Sequence, residues 1–237
     1  MEKEIKIFLP GLDNQIRFVK RNLELKDKRV LILGGGSEEI VKLFAEETGR
    51  ETELIVESYN SLLNSRLLLG ENTNIKIRLM DFEVTDFDNA EFDLIYTQGA
   101  VSNSRRNKIV KEIKRILKPN GFYCVGEVIT LNKKVPSFVE NIFNATDLVP
   151  LFVNDIADYY GERKFKIIAE KDLTFTLGEY YSKSLNKLKK SVENMEQKEK
   201  SYYKKLINMI SHEAKAYLNE GADEYVGFYA LILQKQK

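Results

Sequence analysis

Apolar residues in this chain gather into short unbroken runs, and the stretches between them carry helical spacing. Val30 to Leu33 are four consecutive apolar residues and Leu54 to Val56 are three. Ile75 to Met80, where Lys76 and Arg78 alternate with apolar residues, FDLIYT from Phe92, and the FYCVGEVI segment after Gly121 read as further strands. Runs without alternation belong to strands covered on both faces, as parallel strands between two helical layers are. A first helix is expected from about Asp13 to Leu25, with Ile16, Val19 and Leu23 inward and Asp13 as its cap. Ile40, Val41, Phe44 and Ala45 mark the inner face of a second helix, and Tyr59 to Leu69 forms a third. Ser104 to Leu117 forms a fourth, with Ile109, Ile113, Ile116 and Leu117 inward and Lys108, Lys111 and Lys114 on a solvated outer face.

After the fifth strand, Pro136 to Ala145 reads as a helix and Phe165 to Leu177 as a long strand or bent strand pair. EYVGFYALILQ, from Glu224, reads as the last strand. Alternating strands and helices in this order predict an α/β fold: a doubly wound, Rossmann-like, mostly parallel sheet. The interval Glu179 to Gly221 is helix-compatible throughout. Leu185, Leu188, Val192, Met195, Tyr202, Leu206 and Met209 give it one apolar stripe at three-and-four spacing. A single rod of that length would span about 60 Å, longer than a small domain is wide, so a break is expected within Glu196 to Lys200. The stripe fits either a helical hairpin packed on the sheet or over a substrate site, or a homodimer surface.

The first strand runs straight into three glycines, in VLILGGGSEEI. Gly34 and Gly36 permit a tight turn and let a ligand approach bare backbone, and Ser37 stands where it could cap the next helix. Glu38 and Glu39 in the first helical turn would repel a diphosphate, and position 39 lacks the last glycine of the dinucleotide fingerprint. A ligand with adenine and ribose but no phosphate fits better, and S-adenosylmethionine is the commonest such cofactor. Glu57 ends the second strand about 20 residues beyond the glycines, the separation at which an acid reaches ribose hydroxyls. Asp81 and Phe82 end the third strand, offering an acceptor for the adenine amino group and an apolar ring. The fourth strand leads into Gln98 and Gly99.

With these pieces in this order, residues 28 to 135 resemble the class I S-adenosylmethionine-dependent methyltransferases, especially the small-molecule branch. VLILGGGSE is similar to that family's first motif, ELIVES to its acidic second strand, and IRLMDFEVTDF to its third strand with the adenine-contacting acid. FDLIYTQGAV and EIKRILKPNGFYCVGEVI are similar to its fourth strand, following helix and fifth strand. The resemblance implies a seven-stranded sheet whose last strand is antiparallel and follows a short hairpin from the sixth, and in this chain the helical insertion stands between strands six and seven instead. It implies one domain over 1–237: an N-terminal lid and helix at 1–28, a cofactor-binding core at 29–135, the insertion at 178–221 and the last strand at 222–237. Leu33, Gly34, Gly35, Gly36, Glu57, Ser58, Asp81, Phe82, Thr97, Gln98 and Gly99 are the implied cofactor contacts. Two positions depart from the pattern: Ile32 stands where the family usually has an acid, and Glu38 where it has a last glycine.

Charge and composition narrow the classes. Lysine plus arginine number 37 against 36 acids, which gives no electrostatic reason to expect nucleic acid. One histidine and one cysteine, Cys124, make a zinc site or a disulfide framework improbable, and no metal is expected. The charged start MEKEIKIFLP and the lack of any apolar run near 18 residues point away from the membrane and toward the cytoplasm.

The sequence offers no motif for a general base. Gln98 and Glu127 are the catalytic candidates by position after strands four and five, with Ser102 and Asn103 on the same loop as Gln98. The pairs Tyr159, Tyr160 and Tyr180, Tyr181 fit either a pocket wall or ordinary packing, His212 reads as a polar helix residue, and Ile5 to Gly11 as a lid. The leading expectation is methyl transfer to a small-molecule acceptor. Two alternatives stand beside it: a catalytically silent binding or assembly protein, favoured by Ile32, and an aminopropyltransferase of the spermidine-synthase type. The second is disfavoured by TQGAVSN, which lacks an acid pair after the fourth strand.

Overall fold

The computed structural model describes residues 7–71 and 74–236, so Ile5 and Lys6 of the expected lid lie outside the described residues. Its centre is one sheet built from β1 (Val30–Leu33), β2 (Thr52–Val56), β3 (Ile75–Leu79), β4 (Phe92–Gln98), β5 (Leu117–Thr130), β6 (Leu151–Phe152), β7 (Phe165–Asp172) and β8 (Val226–Lys235). The order is β3-β2-β1-β4-β5-β8-β7, with β8 antiparallel to both its neighbours and the other central pairings parallel. The strand count is eight where seven were expected, because the two-residue β6 adds a short parallel pairing to β5 through Ile129 and Thr130.

Helices cover both faces: α1 (Leu12–Asn22), α2 (Glu38–Thr48), α3 (Tyr59–Leu69), α4 (Arg106–Ile116), α5 (Ser137–Ala145), α6 (Ile156–Glu162), α7 (Leu177–Asn194), α8 (Gln197–Tyr202) and α9 (Lys204–Asn219). Side chains alternate across a strand, so β1 sends Val30 and Ile32 into one core and Leu31 and Leu33 into the other. The first core joins them to Ile16, Val41, Phe44 and Tyr96, the second to Ile95, Ile109, Ile113 and Tyr123. Each fully buried aliphatic or phenyl side chain contributes about 1.5–3 kcal/mol, which is why the unbroken apolar runs set the sheet.

Several boundaries differ from expectation for local reasons. α1 starts at Leu12 after a left-handed Gly11, and the Asp13 carboxylate accepts the Ile7 N–H at 3.2 Å instead of capping the helix. Ser37 makes no side-chain cap on α2. α4 begins at Arg106, since the Asn103 side chain accepts the Arg105 N–H at 2.9 Å and holds the preceding loop. β7 stops at Asp172, whose carboxylate accepts the Thr174 N–H at 2.8 Å and turns the chain into a short 3₁₀ segment leading to α7. The insertion does break, after Asn194, where Glu196 and Glu199 form a capping box that starts α8. α7 and α9 then pack together through Tyr181 and Tyr217, while Tyr202, Tyr203 and Leu206 near the tip stay exposed. No helix among the described residues is long and apolar enough to cross a membrane.

α4 is fastened to the loop after β3 by Glu112. It accepts the Thr85 N–H at 2.8 Å and the Thr85 hydroxyl at 2.6 Å, and it pairs with Arg115 at 2.7 Å. Burial pushes its pKa up, but the Arg115 and Thr85 contacts outweigh burial and hold it below the usual carboxylate value. A carboxyl depressed on folding stabilises the fold above its unfolded pKa, and that contribution is lost as pH falls through the folded value. The urea midpoint should therefore drop on acidification through the carboxylate range, and Glu112→Gln should flatten that part of the profile. An unchanged acid slope in the variant would show that the contact adds nothing.

Candidate functional site

The carboxyl ends of β1, β2, β4 and β5 open on one cavity of about 510 Å³, where open α/β sheets place their ligands. Gly34, Gly35, Glu57, Ser58, Phe82, Gln98 and Gly99 line it, with Leu9 and Pro10 as a roof. A larger recess of about 740 Å³ lies between α1 and α7, but its walls include Arg17, Lys187 and Lys190 and none of the turn glycines. Size alone does not make it the site.

The glycine turn needs its glycines for geometry as well as access. Gly34 has φ +118° and Gly36 φ +82°, backbone that other residues adopt only with strain. A β-carbon on Gly34 would lie 3.2 Å from that of Ala100, and one on Gly36 would lie 3.3 Å from the Leu9 side chain. Leu33 and Thr97 are buried below this surface and support it without lining the cavity. Gly36 likewise sits behind Leu9. Ser58 is committed to α3, where it accepts the Ser61 N–H at 3.0 Å as N-cap.

Glu57 holds the third strand's end in place. Its carboxylate accepts the Phe82 N–H at 3.0 Å and is hydrogen-bonded by Arg105, which also reaches Asp81 at 3.5 Å and Glu83 at 3.6 Å. The Glu57 contact, with the surrounding acids, pushes the Arg105 pKa further up and keeps it charged. Asp81 stands outside the cavity lining, exposed and tied to the Glu83 N–H at 2.8 Å, while Phe82 is buried and lines the wall.

The two catalytic candidates, Gln98 and Glu127, are both engaged by partners within the fold. Gln98 spends its whole amide: Nε2 donates to the carbonyls of Pro10 at 2.8 Å and Leu12 at 2.9 Å, and Oε1 accepts from the Tyr96 hydroxyl at 2.5 Å. It therefore clamps the N-terminal segment over the sheet ends. Glu127 is wholly buried and does not line the cavity. It accepts from the Ser102 and Tyr160 hydroxyls at 2.5 Å each and pairs with the buried Arg106 at 3.1 Å. Tyr159 and Tyr160 go with it, packed against Tyr123 and Arg106 in the other core. Asn103 is spent on its own loop, donating to the Ala100 carbonyl at 3.1 Å.

Of the opposite wall, the sequence offered Tyr180 and Tyr181 as one of two readings and did not single out Leu148, Leu177 or Glu213. There the cavity is closed by Leu148, Leu177, Tyr180, Tyr181, Met209 and Glu213, from the loop after α5 and from α7 and α9. Glu213 accepts from the Tyr181 hydroxyl at 2.9 Å, and burial raises its pKa above the usual carboxylate value. The apolar stripe showed that α7 and α9 would pair, but no local signal sets their register. His212, next to Glu213, faces a side recess instead.

Residues 31–125, which include β1, β2, β4 and most of the glycine-side wall, match the family model described as a methyltransferase domain. Sarcosine/dimethylglycine N-methyltransferase of Aphanothece halophytica is 22% identical over 220 residues, covering 87% of this chain and 76% of that one. The ubiquinone/menaquinone biosynthesis C-methyltransferase UbiE of Neisseria meningitidis is 26% identical over 136 residues, 56% of this chain and 55% of its own. The chain thus spans about half the length of several curated relatives it matches. Phosphoethanolamine N-methyltransferase 2 of Haemonchus contortus, solved with S-adenosyl-L-methionine, superposes with a TM-score of 0.75 at 15% identity. That alignment covers 95% of this chain and 53% of the other, a likeness of fold.

Proposed function

We propose that this protein binds S-adenosylmethionine and transfers its methyl group to a small-molecule acceptor. The observation that carries the reading is one continuous cavity, with bare glycine backbone, Glu57 and Phe82 on one wall and the insertion helices on the other. The residues present fit the cofactor: Gly34 and Gly35 leave no side chain between backbone and cavity, and Glu57 ends β2 at its rim. Glu57 would accept the ribose hydroxyls, with Phe82 beside the adenine and the neighbouring Asp81 at the outer rim. Gly34, Gly35 and Gly99 would flank the methionine end, backed by Leu33, Gly36, Ser58, Thr97 and Gln98.

When bound, S-adenosylmethionine supplies a methyl group made electrophilic by its sulfonium, with a neutral thioether as leaving group. The protein's task is then alignment, which can lower such a barrier by about 7–11 kcal/mol. Gln98 serves that task by holding Pro10 and Leu12 in place, so that Leu9 and Pro10 shield the cavity from water. Ile32 is fully buried and brings no charge, so ordering of the methionine end falls to backbone and roof.

Calorimetric titration separates this reading from its alternatives. Saturable binding of S-adenosylmethionine and S-adenosylhomocysteine is expected, at about −8 kcal/mol if the affinity is micromolar. Undetectable affinity for both would leave only a silent binding or assembly role. Preference for the decarboxylated cofactor would indicate aminopropyl transfer.

A further inference from the structure

We propose that the acceptor is an amine bound as its ammonium ion by Glu213 on the cavity wall it shares with Tyr180 and Tyr181, and that Glu213 takes the ammonium proton. This rests on the reading of the glycine-side wall as the methyl donor's site.

Charge pairing carries the argument. Glu53 is bracketed by Arg29 and Arg78, Glu57 is bound by Arg105, Glu112 by Arg115 and Glu127 by Arg106. Glu213 is partly buried and has no cationic partner among the described residues, only the Tyr181 hydroxyl on Oε1. Glu38 is also without one, but it is held by Ser65 at 2.6 Å between α2 and α3 and does not line the cavity. A desolvated carboxylate without a counter-charge is costly, and a cation entering the cavity removes that cost.

The surroundings fit an ammonium ion rather than a metal. The rings of Tyr180 and Tyr181 lie 5.0 Å apart at 63°, and both line the cavity with Glu213. Tyrosine faces attract organic cations, whereas a divalent metal would need several oxygen ligands, and Glu213 is the sole carboxylate on this wall among the described residues. An ammonium nitrogen has no lone pair to give. One proton moves from nitrogen to a carboxylate oxygen, leaving a neutral amine with a free lone pair and a neutral carboxylic acid. Because burial raises the Glu213 pKa, it is a better proton acceptor than an exposed glutamate.

The groups facing Glu213 are few. α7 presents Tyr180 and Tyr181, and α9 itself presents Tyr217, with His212 and Lys205 along the adjoining recess. α5 and the residue after it contribute the uncharged Ile142, Ala145 and Thr146. Ammonium binding should therefore weaken as pH falls through the Glu213 pKa. Tyr181→Phe, which removes the donor that favours the charged form, should move that loss to higher pH.

The test is a titration in the presence of S-adenosylhomocysteine with two probes of one shape, diethylammonium chloride and neutral diethyl ether. The wild-type protein is expected to prefer the ammonium. Glu213→Gln should weaken it at least tenfold while holding S-adenosylhomocysteine as before. Equal binding of the two probes, or an ammonium affinity untouched in Glu213→Gln, overturns the proposal and leaves the methyl-transfer reading standing. Failure of S-adenosylhomocysteine to bind wild-type protein overturns both. If Glu213→Gln does not fold, the Tyr181→Phe profile decides: an unshifted pH dependence overturns the proposal.

Discussion

Replacing Glu127 by alanine is expected to destabilise the folded chain by about 3–5 kcal/mol, the scale for removing one partner of a buried ion pair. The carboxylate is wholly buried and Arg106 nearly so, and the truncation strands that guanidinium together with the Tyr160 hydroxyl. Ser102 loses its acceptor too, while its own oxygen still receives the Val128 N–H at 2.9 Å. This knot joins β5, α4, α6 and the loop after β4, so its loss loosens the floor under the sheet ends. Urea unfolding at constant slope measures the change. A shift below about 1 kcal/mol, the scale of exposed pairs, would mean that water reaches the pair and that Glu127 is not a structural residue.

Replacing Glu57 by alanine is expected to weaken S-adenosylmethionine binding by about 1–3 kcal/mol, the scale for losing a charged hydrogen-bond partner. Two effects add in that direction. The ribose loses its acceptor, and the Phe82 N–H, received at 3.0 Å by the same carboxylate, no longer fixes the adenine wall. Global stability should change far less, because Arg105 and Glu57 are partly exposed and still surrounded by Asp81 and Glu83. Calorimetry on a variant shown to unfold at the wild-type midpoint isolates the binding term. Unchanged affinity would mean that the ribose lies elsewhere.

Arg105 had no role in the sequence reading, yet it links Glu57 to Asp81 across 48 and 24 positions respectively. Its neighbour Arg106 points the other way, into Glu127. Two adjacent identical residues thus serve the cavity rim and the core. Nothing local distinguishes them, because the difference comes from the direction in which α4 leaves the loop.

Elements whose physics is local were legible. β1 is an unbroken apolar run and β2 ends in one, both are buried at every position, and Gly34 and Gly36 after β1 take the positive φ such a turn demands. That the insertion breaks was legible from its length, but the break falls at Met195 and Glu196, and most of the charged run expected to hold it is itself helical, as α8. Caps were read less well. Asp13 and Ser37 are residues of the right type at the right place, but Asp13 is drawn to Ile7, and Ser37 is buried without capping.

By itself the sequence determined a doubly wound sheet, its glycine turn, and the acids that end its second and third strands. Each follows from apolar runs, backbone freedom or spacing within a few dozen residues. Only the tertiary structure decided which polar groups remain free for chemistry. It consumed Gln98 and Glu127 in buried hydrogen bonds and brought Glu213, far along the chain, to the cavity opposite Gly34. The physical reason is that a side chain's availability depends on its partners in space, and helix register and crossing direction set those partners.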